Sequence, residues 1–372
     1  MQAKTQTGKK LLSMLLSMAM ALTLLPAAAL ADGVDEGDVK PPAVAVAEID
    51  DERYGTLQDA ANAAKSGETI TLLGDITLND EDTPKNDAVI TLNAGVTLDG
   101  GGNTITVGTF ANESHVLGFA EEGDYTTPTT VKNLTIDGNN GGTNNNAKHC
   151  INAYGAVKVV LANVTLKNAR TAGMVVMNGA DVTATDLTTS GNAWGAVNVD
   201  NNSGYAGEAK TTFTLNSNSG LLEEDVQIWT EKDTAVEITA EDYTKLLDSD
   251  SGMTYYTTKE DALYVASDGT NKYVTLASAV AEAEADSTIT LLKDVTVTKL
   301  ISINKSITID GNGKVITGAA DNKEVYFEIK TGTVLVKDAT VTGFGSSAST
   351  NPALRYLKSQ AALLTSILQL KI

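Results

Sequence analysis

The chain has 372 residues, 27 basic against 47 acidic, for a formal net charge of −20, and 42% of it is apolar. That length holds two ordinary domains or one long repetitive one, and the acidic balance excludes nucleic acid and anionic lipid, which are bound through Lys/Arg patches. One cysteine, Cys150, and two histidines, His115 and His149, exclude an internal disulfide and a multi-histidine or cysteine-rich metal centre.

At the N-terminus Lys4, Lys9 and Lys10 precede an apolar stretch from Leu11 to Leu25, which Pro26 breaks before the small-x-small site Ala29-Leu-Ala31. This order predicts a signal peptide over 1–31 and a secreted, extracellular or cell-wall-associated bacterial protein. The apolar stretch is shorter than the roughly 20 residues of a spanning helix, so no membrane span is expected after cleavage. Residues 32–50 are acidic, contain Pro41-Pro42 and read as a linker.

A long internal repeat follows. The segment from Tyr54 to Ala64 aligns without gaps to Tyr273–Ala283, and Thr69-Ile-Thr-Leu-Leu recurs as Thr288-Ile-Thr-Leu-Leu. Each copy is expected to open with a short helix. Thr56 is its N-cap with Asp59 three residues on, and Leu57, Ala60, Ala61 and Ala64 fall at helical spacing. Leu276, Ala279, Val280 and Ala283 repeat the stripe. Such a helix would cover the open end of a sheet stack.

A finer template comes next: turn-former, apolar, Thr, apolar. It appears as Asp75-Ile-Thr-Leu, Gly95-Val-Thr-Leu, Asn133-Leu-Thr-Ile, Asn163-Val-Thr-Leu and Asp186-Leu-Thr-Thr, then as Asp294-Val-Thr-Val and Asp338-Ala-Thr-Val. In a strand the two apolar residues face one side and Thr the other. Their spacing suits the coils of a solenoid, with Ile76, Val96, Leu134, Val164 and Leu187 expected on one buried face. The boundaries so read are a first module over 51–230, a connecting α/β element over 231–272 with a helix near Ala240–Leu247, a partial second module over 273–345, and a tail over 346–372. Leu354, Leu357, Leu364, Ile367 and Leu368 give that tail a helical stripe. Whether it caps the stack or ends a truncated reading frame stays open.

The templates and the Asp-Gly turns at Asp99, Asp137 and Asp310 resemble the pectate-lyase-like superfamily. The resemblance implies an all-β, right-handed parallel β-helix with a short N-terminal capping helix and a second, truncated copy. The helix followed by T-I-T-L-L-x-D is similar to repeat modules of Gram-positive bacterial surface proteins. Catalytic members of the superfamily cleave acidic polysaccharides, and the resemblance implies a lyase or glycoside hydrolase as one reading.

The residues favour a different one. Among three arginines, Arg53, Arg170 and Arg355, Arg170 alone falls in the expected coils. A lyase needs a base and concentrated positive charge beside the substrate carboxylate. His149 and Cys150 are strand neighbours that point to opposite faces and make no dyad. Glu223-Glu224-Asp225 reads as a solvated turn. The Asp-Gly aspartates are candidates for Ca²⁺, but Asp-Gly is first a turn signal; no other cofactor is indicated. The richest surface candidate is Asn168, Arg170, Asn192, Trp194, Asp200, Asn201, Asn202 and Tyr205, expected at turns of successive coils. Asn and Asp hydrogen-bond sugar hydroxyls, and an exposed aromatic stacks on a sugar ring. Asn ladders closing the turns and Trp194 in the core are the alternative. The expectation is a structural or adhesive surface protein that binds extracellular or cell-wall glycans without catalysis. The rivals are the lyase or hydrolase, and a fragment of a larger surface protein.

Overall fold

In the computed structural model, which describes residues 44–110, 112–140, 146–216, 221–231, 235–248, 252–297, 299–318, 327–342 and 368–371, the recurring template forms long strands bent at its turn-former. Strand Lys158–Lys167 bends at Asn163, strand Thr129–Asp137 at Asn133 and strand Asp181–Ser190 at Asp186. All three bend residues have φ between 50° and 55°. Asn and Asp tolerate this left-handed region better than other side chains do. One such residue slips the period-2 alternation by one position, so Val159 and Leu161 before the bend and Val164 and Leu166 after it all point inward. Asn163 Nδ2 donates to Asn133 Oδ1 at 3.1 Å and Asn133 Nδ2 to Asp99 Oδ1 at 3.1 Å, so the corner residues also hold one another.

Each coil adds a third strand, such as Ile151–Tyr154, Ala172–Met177 or Gly195–Asp200, which stacks in parallel in an eight-stranded sheet. The bent strands stack in a twelve-stranded sheet folded over two faces. The whole is a parallel β-solenoid of about 9 turns. Leu134, Val164 and Leu187 lie in register and buried, one above another. Ile76, expected in that buried column, is half-buried and stands in the next one, with Ile105, Ile136 and Leu166, and Val96 is buried just before its strand. Each fully buried Leu or Ile contributes roughly 1.5–3 kcal/mol.

The first coil is closed by a hairpin and a helix. Ala47–Ile49 pairs antiparallel with Glu52–Tyr54 and with Thr69–Leu72. Helix Leu57–Ala63 is capped by Thr56, whose Oγ1 accepts from Asp59 N at 3.1 Å, and it buries Leu57, Ala60 and Ala61. It lies against strand Ala88–Leu92. Gln58 Oε1 accepts from Thr91 N, and Asn93 Nδ2 donates to Ala61 O and Ala64 O, so the edge's polar groups find partners in the cap.

The same device recurs at Ala266–Ser267, Lys272–Tyr273 and helix Leu276–Glu282, which Thr275 caps. The second copy therefore begins at its hairpin, ahead of the repeat seen at Tyr273. It builds its own core around Ile289, Leu291, Ile307, Ile309 and Ile316. The first stack also runs past residue 230. Val236–Ala240 continues it in parallel beside Thr211–Leu215.

The helix expected near Ala240–Leu247 is not formed. Thr244–Leu247 is a strand paired antiparallel with Thr254–Thr257, which in turn covers Ile228–Thr230. Pairing with an open sheet edge outweighs a helical pattern that includes Asp, Tyr and Thr, all weak helix formers. In the tail, Leu368–Lys371 is a strand antiparallel to Thr333–Lys337, where a helical stripe was expected. The remainder of that tail, the expected signal peptide and most of the linker lie outside the described residues. Among the described residues no helix is long and apolar enough to cross a membrane.

Candidate functional site

Strand Ala172–Met177 is apolar on both sides, and that places the site. Met174 and Val176 enter the core, while Val175 and Met177 face outward on the eight-stranded sheet. The register sets Thr91, Gly118, Asn152, Val175, Asn198, Trp229 and Tyr255 in one row across seven strands. At about 4.8 Å per strand the row spans roughly 30 Å.

At one end of the row Val175, Met177, Val226, Trp229, Met253 and Tyr255 form an apolar cluster. With Trp194, Asn198, Lys148 and Glu231 it lines a cavity of about 580 Å³. Trp194 is 62% exposed, so its ring is open to a ligand. It stands beside Gly195 (φ 120°), where a Cβ would meet Val226 O at 2.4 Å and the Trp229 ring at 3.1 Å. A glycine is needed for the turn to approach that ring. The neighbouring strands Ala88–Leu92, His115–Phe119 and Ile151–Tyr154 carry a second, polar cavity of about 780 Å³. Asn152 and Tyr154 line it, and they adjoin Val175 and Met177 of the aromatic cavity in register. The two form one open groove.

The residues singled out from sequence divide between opposite ends of the strands. Asn168, Arg170, Asn192 and Trp194 lie in turns that enter the sheet; Asp200 ends strand Gly195–Asp200, and Asn201, Asn202 and Tyr205 lie in the turn that leaves it. Of the eight, Trp194 lines the groove. Asn192 is buried and fully engaged: Oδ1 accepts from Ala169 N at 2.8 Å, and Nδ2 donates to Leu166 O and Glu224 Oε1. Glu224 is itself buried, unlike a solvated turn residue, and also accepts from Asn192 N. Asp200 accepts from Thr230 Oγ1, Asn198 Nδ2 and Glu231 N. Asn201 binds Asn178 N and Ala235 O, Asn202 Nδ2 donates to Tyr154 OH, and Tyr205 OH donates to Ala209 O. Asn168 Nδ2 donates to Asp137 Oδ1, and Arg170 pairs with Glu113 at 3.6 Å.

His149 Nδ1 lies 3.2 Å from Ala172 O and 2.7 Å from Thr171 Oγ1, and its ring stacks on His115 at 4.8 Å. Burial, reinforced by His115 and Lys148, brings the His149 pKa down to about 3. Burial and Lys148 bring His115 to about 4. Both rings are neutral at pH 7. Burial pushes the Cys150 thiol up to about 12, so no thiolate nucleophile is present there.

Asp99, Asp137 and Asp310 each face a lysine of the next coil, Lys132, Lys167 and Lys337, at 3.1, 3.2 and 2.7 Å. For Asp310 that lysine is the main cause of its lowered pKa. For Asp99 and Asp137 burial pushes upward, but hydrogen bonds and the lysine together outweigh it. The lysines occupy the place a cation would take. Among the described residues no three His, Cys, Asp or Glu side chains are grouped to hold a metal ion.

No protein-family model, no curated protein and no solved structure matches the chain. Trp229, Tyr255 and Met253 had no sequence signal that joined them. The apolar run Met174-Val-Val-Met did carry one, because apolar residues on both faces of a strand imply a covered outer face.

Proposed function

We propose that the chain is a secreted, cell-surface glycan-binding protein without catalytic activity, similar to the solenoid modules of bacterial surface proteins. The observation that carries this is the groove on the outward face of the eight-stranded sheet, with the exposed Trp194 beside Trp229 and Tyr255. The exposed Trp194 ring offers a flat apolar platform to a sugar ring above the buried Trp229, and the amide of Asn152 and the Oδ1 of Asn198 supply partners for hydroxyls. The chemistry around the groove supports binding over turnover. Both imidazoles are buried and neutral, and Arg170 is tied to Glu113. The right-handed pectate-lyase-like relationship and the Gram-positive setting belong to the same proposal and rest on the sequence templates.

The test is direct titration with neutral oligosaccharides, alongside a search for unsaturated product from uronate polymers with and without calcium. Trp194→Ala should weaken binding about tenfold and leave the melting temperature unchanged, since the ring is exposed. Turnover that disappears in Arg170→Ala would replace the binding reading with a lyase.

A further inference from the structure

The groove carries charges along its polar half and at the border of its aromatic half. Asp87 stands on one wall, Glu121 and Glu122 stand on the other, and Glu231 borders the aromatic half. All four are exposed. Lys148 is the one basic residue among those lining either cavity, and its Nζ is held at 2.6 Å by Asn86 Oδ1.

Glu113, on the turns beside the groove, is flanked by Lys85 at 3.5 Å and Arg170 at 3.6 Å. Asp99, Asp137 and Asp310 each have a lysine. Among the described residues Asp87, Glu121 and Glu122 have no ion-pair partner. The acids on the groove are thus left to act on what enters it.

We propose that the groove takes an amine-bearing glycan, of the class of de-N-acetylated hexosamine polymers, in preference to a neutral one, and excludes polyuronates. This rests on the glycan reading above. The aromatic half stacks the rings, and carboxylates along the polar half pair with ammonium groups of the same ligand. Like charges concentrated along a concave surface raise the local concentration of cations and repel anions. The roughly 30 Å row gives an oligomer room to meet both halves at once.

The experiment titrates the protein with three hexamers at pH 5.5 and low salt: N-acetylglucosamine, glucosamine and galacturonate. The glucosamine hexamer should bind roughly tenfold tighter than the neutral one, with the galacturonate weakest. In about 0.5 M salt the gap should close, because exposed charges are screened. The double variant Glu121→Gln/Glu122→Gln should narrow the gap at low salt. Equal affinity for the cationic and neutral hexamers, or tighter binding of the galacturonate, would overturn the charge preference and leave the glycan reading standing. If none of the three binds, both fail together.

Discussion

Asn192 shows how single polar residues hold this molecule together. Its amide joins three consecutive coils by bonding Ala169 N, Leu166 O and the buried Glu224. A buried carboxylate and amide are tolerated because each finds a partner. The stacked imidazoles are a less settled case. Their folded pKa values are about 4 for His115 and about 3 for His149, against about 6.5 in an unfolded chain. Between those limits the unfolded chain binds protons that the folded chain does not. Stability is therefore full above about pH 6.5 and falls on acidification, by up to about 1.4 kcal/mol per pH unit for each histidine. Asp99, Asp137 and Asp310 have lowered pKa values, so their contribution is lost only at more acidic pH. The melting temperature should drop between pH 6.5 and 4.5, and His115→Asn should shrink that drop. A profile that the replacement does not alter would assign the acid sensitivity to other groups.

The capping helix follows from its own residues. Thr56 satisfies Asp59 N, and the small side chains of Ala60 and Ala61 let the helix lie against the edge of the sheet. Ala61→Asp would place a carboxylate where no solvent reaches, and should cost several kcal/mol in chemical denaturation. Full stability in that variant would mean the helix does not pack where it is seen. This element was legible from Thr56 and the Leu57–Ala64 stripe because its signals are local. The corners were half legible. Asn133, Asn163 and Asp186 read as turn-formers, but a one-residue bend inside a strand appears in sequence only as a slipped alternation. Ala240–Leu247 has a helical pattern, yet strand Thr244–Leu247 is fixed by pairing with Thr254–Thr257, a non-local event. The groove shared that fate. Trp194 stood out, whereas Trp229 and Tyr255 meet through a register that no spacing in the sequence reveals.

The described chain holds two large apolar cores, one within Ala47–Val236 and one within Ala266–Ala339. In a solenoid each coil is stabilised by its neighbours, and cooperativity stops where a stack is interrupted. Two calorimetric transitions are expected. Ile309→Ala, buried in the second core, should lower one of them by about 2–4 kcal/mol and leave the other in place. A single transition that shifts as a whole would show the two cores unfolding as one. The hairpin and helix before each core have a consequence for how such a chain changes over generations. Because a copy carries its own lid, unequal recombination between the related stretches at Tyr54 and Tyr273 would add or delete one complete copy. Neither product would expose a raw sheet edge. The length of the molecule is thus free to vary in whole steps, while the interior of each copy keeps its stacking.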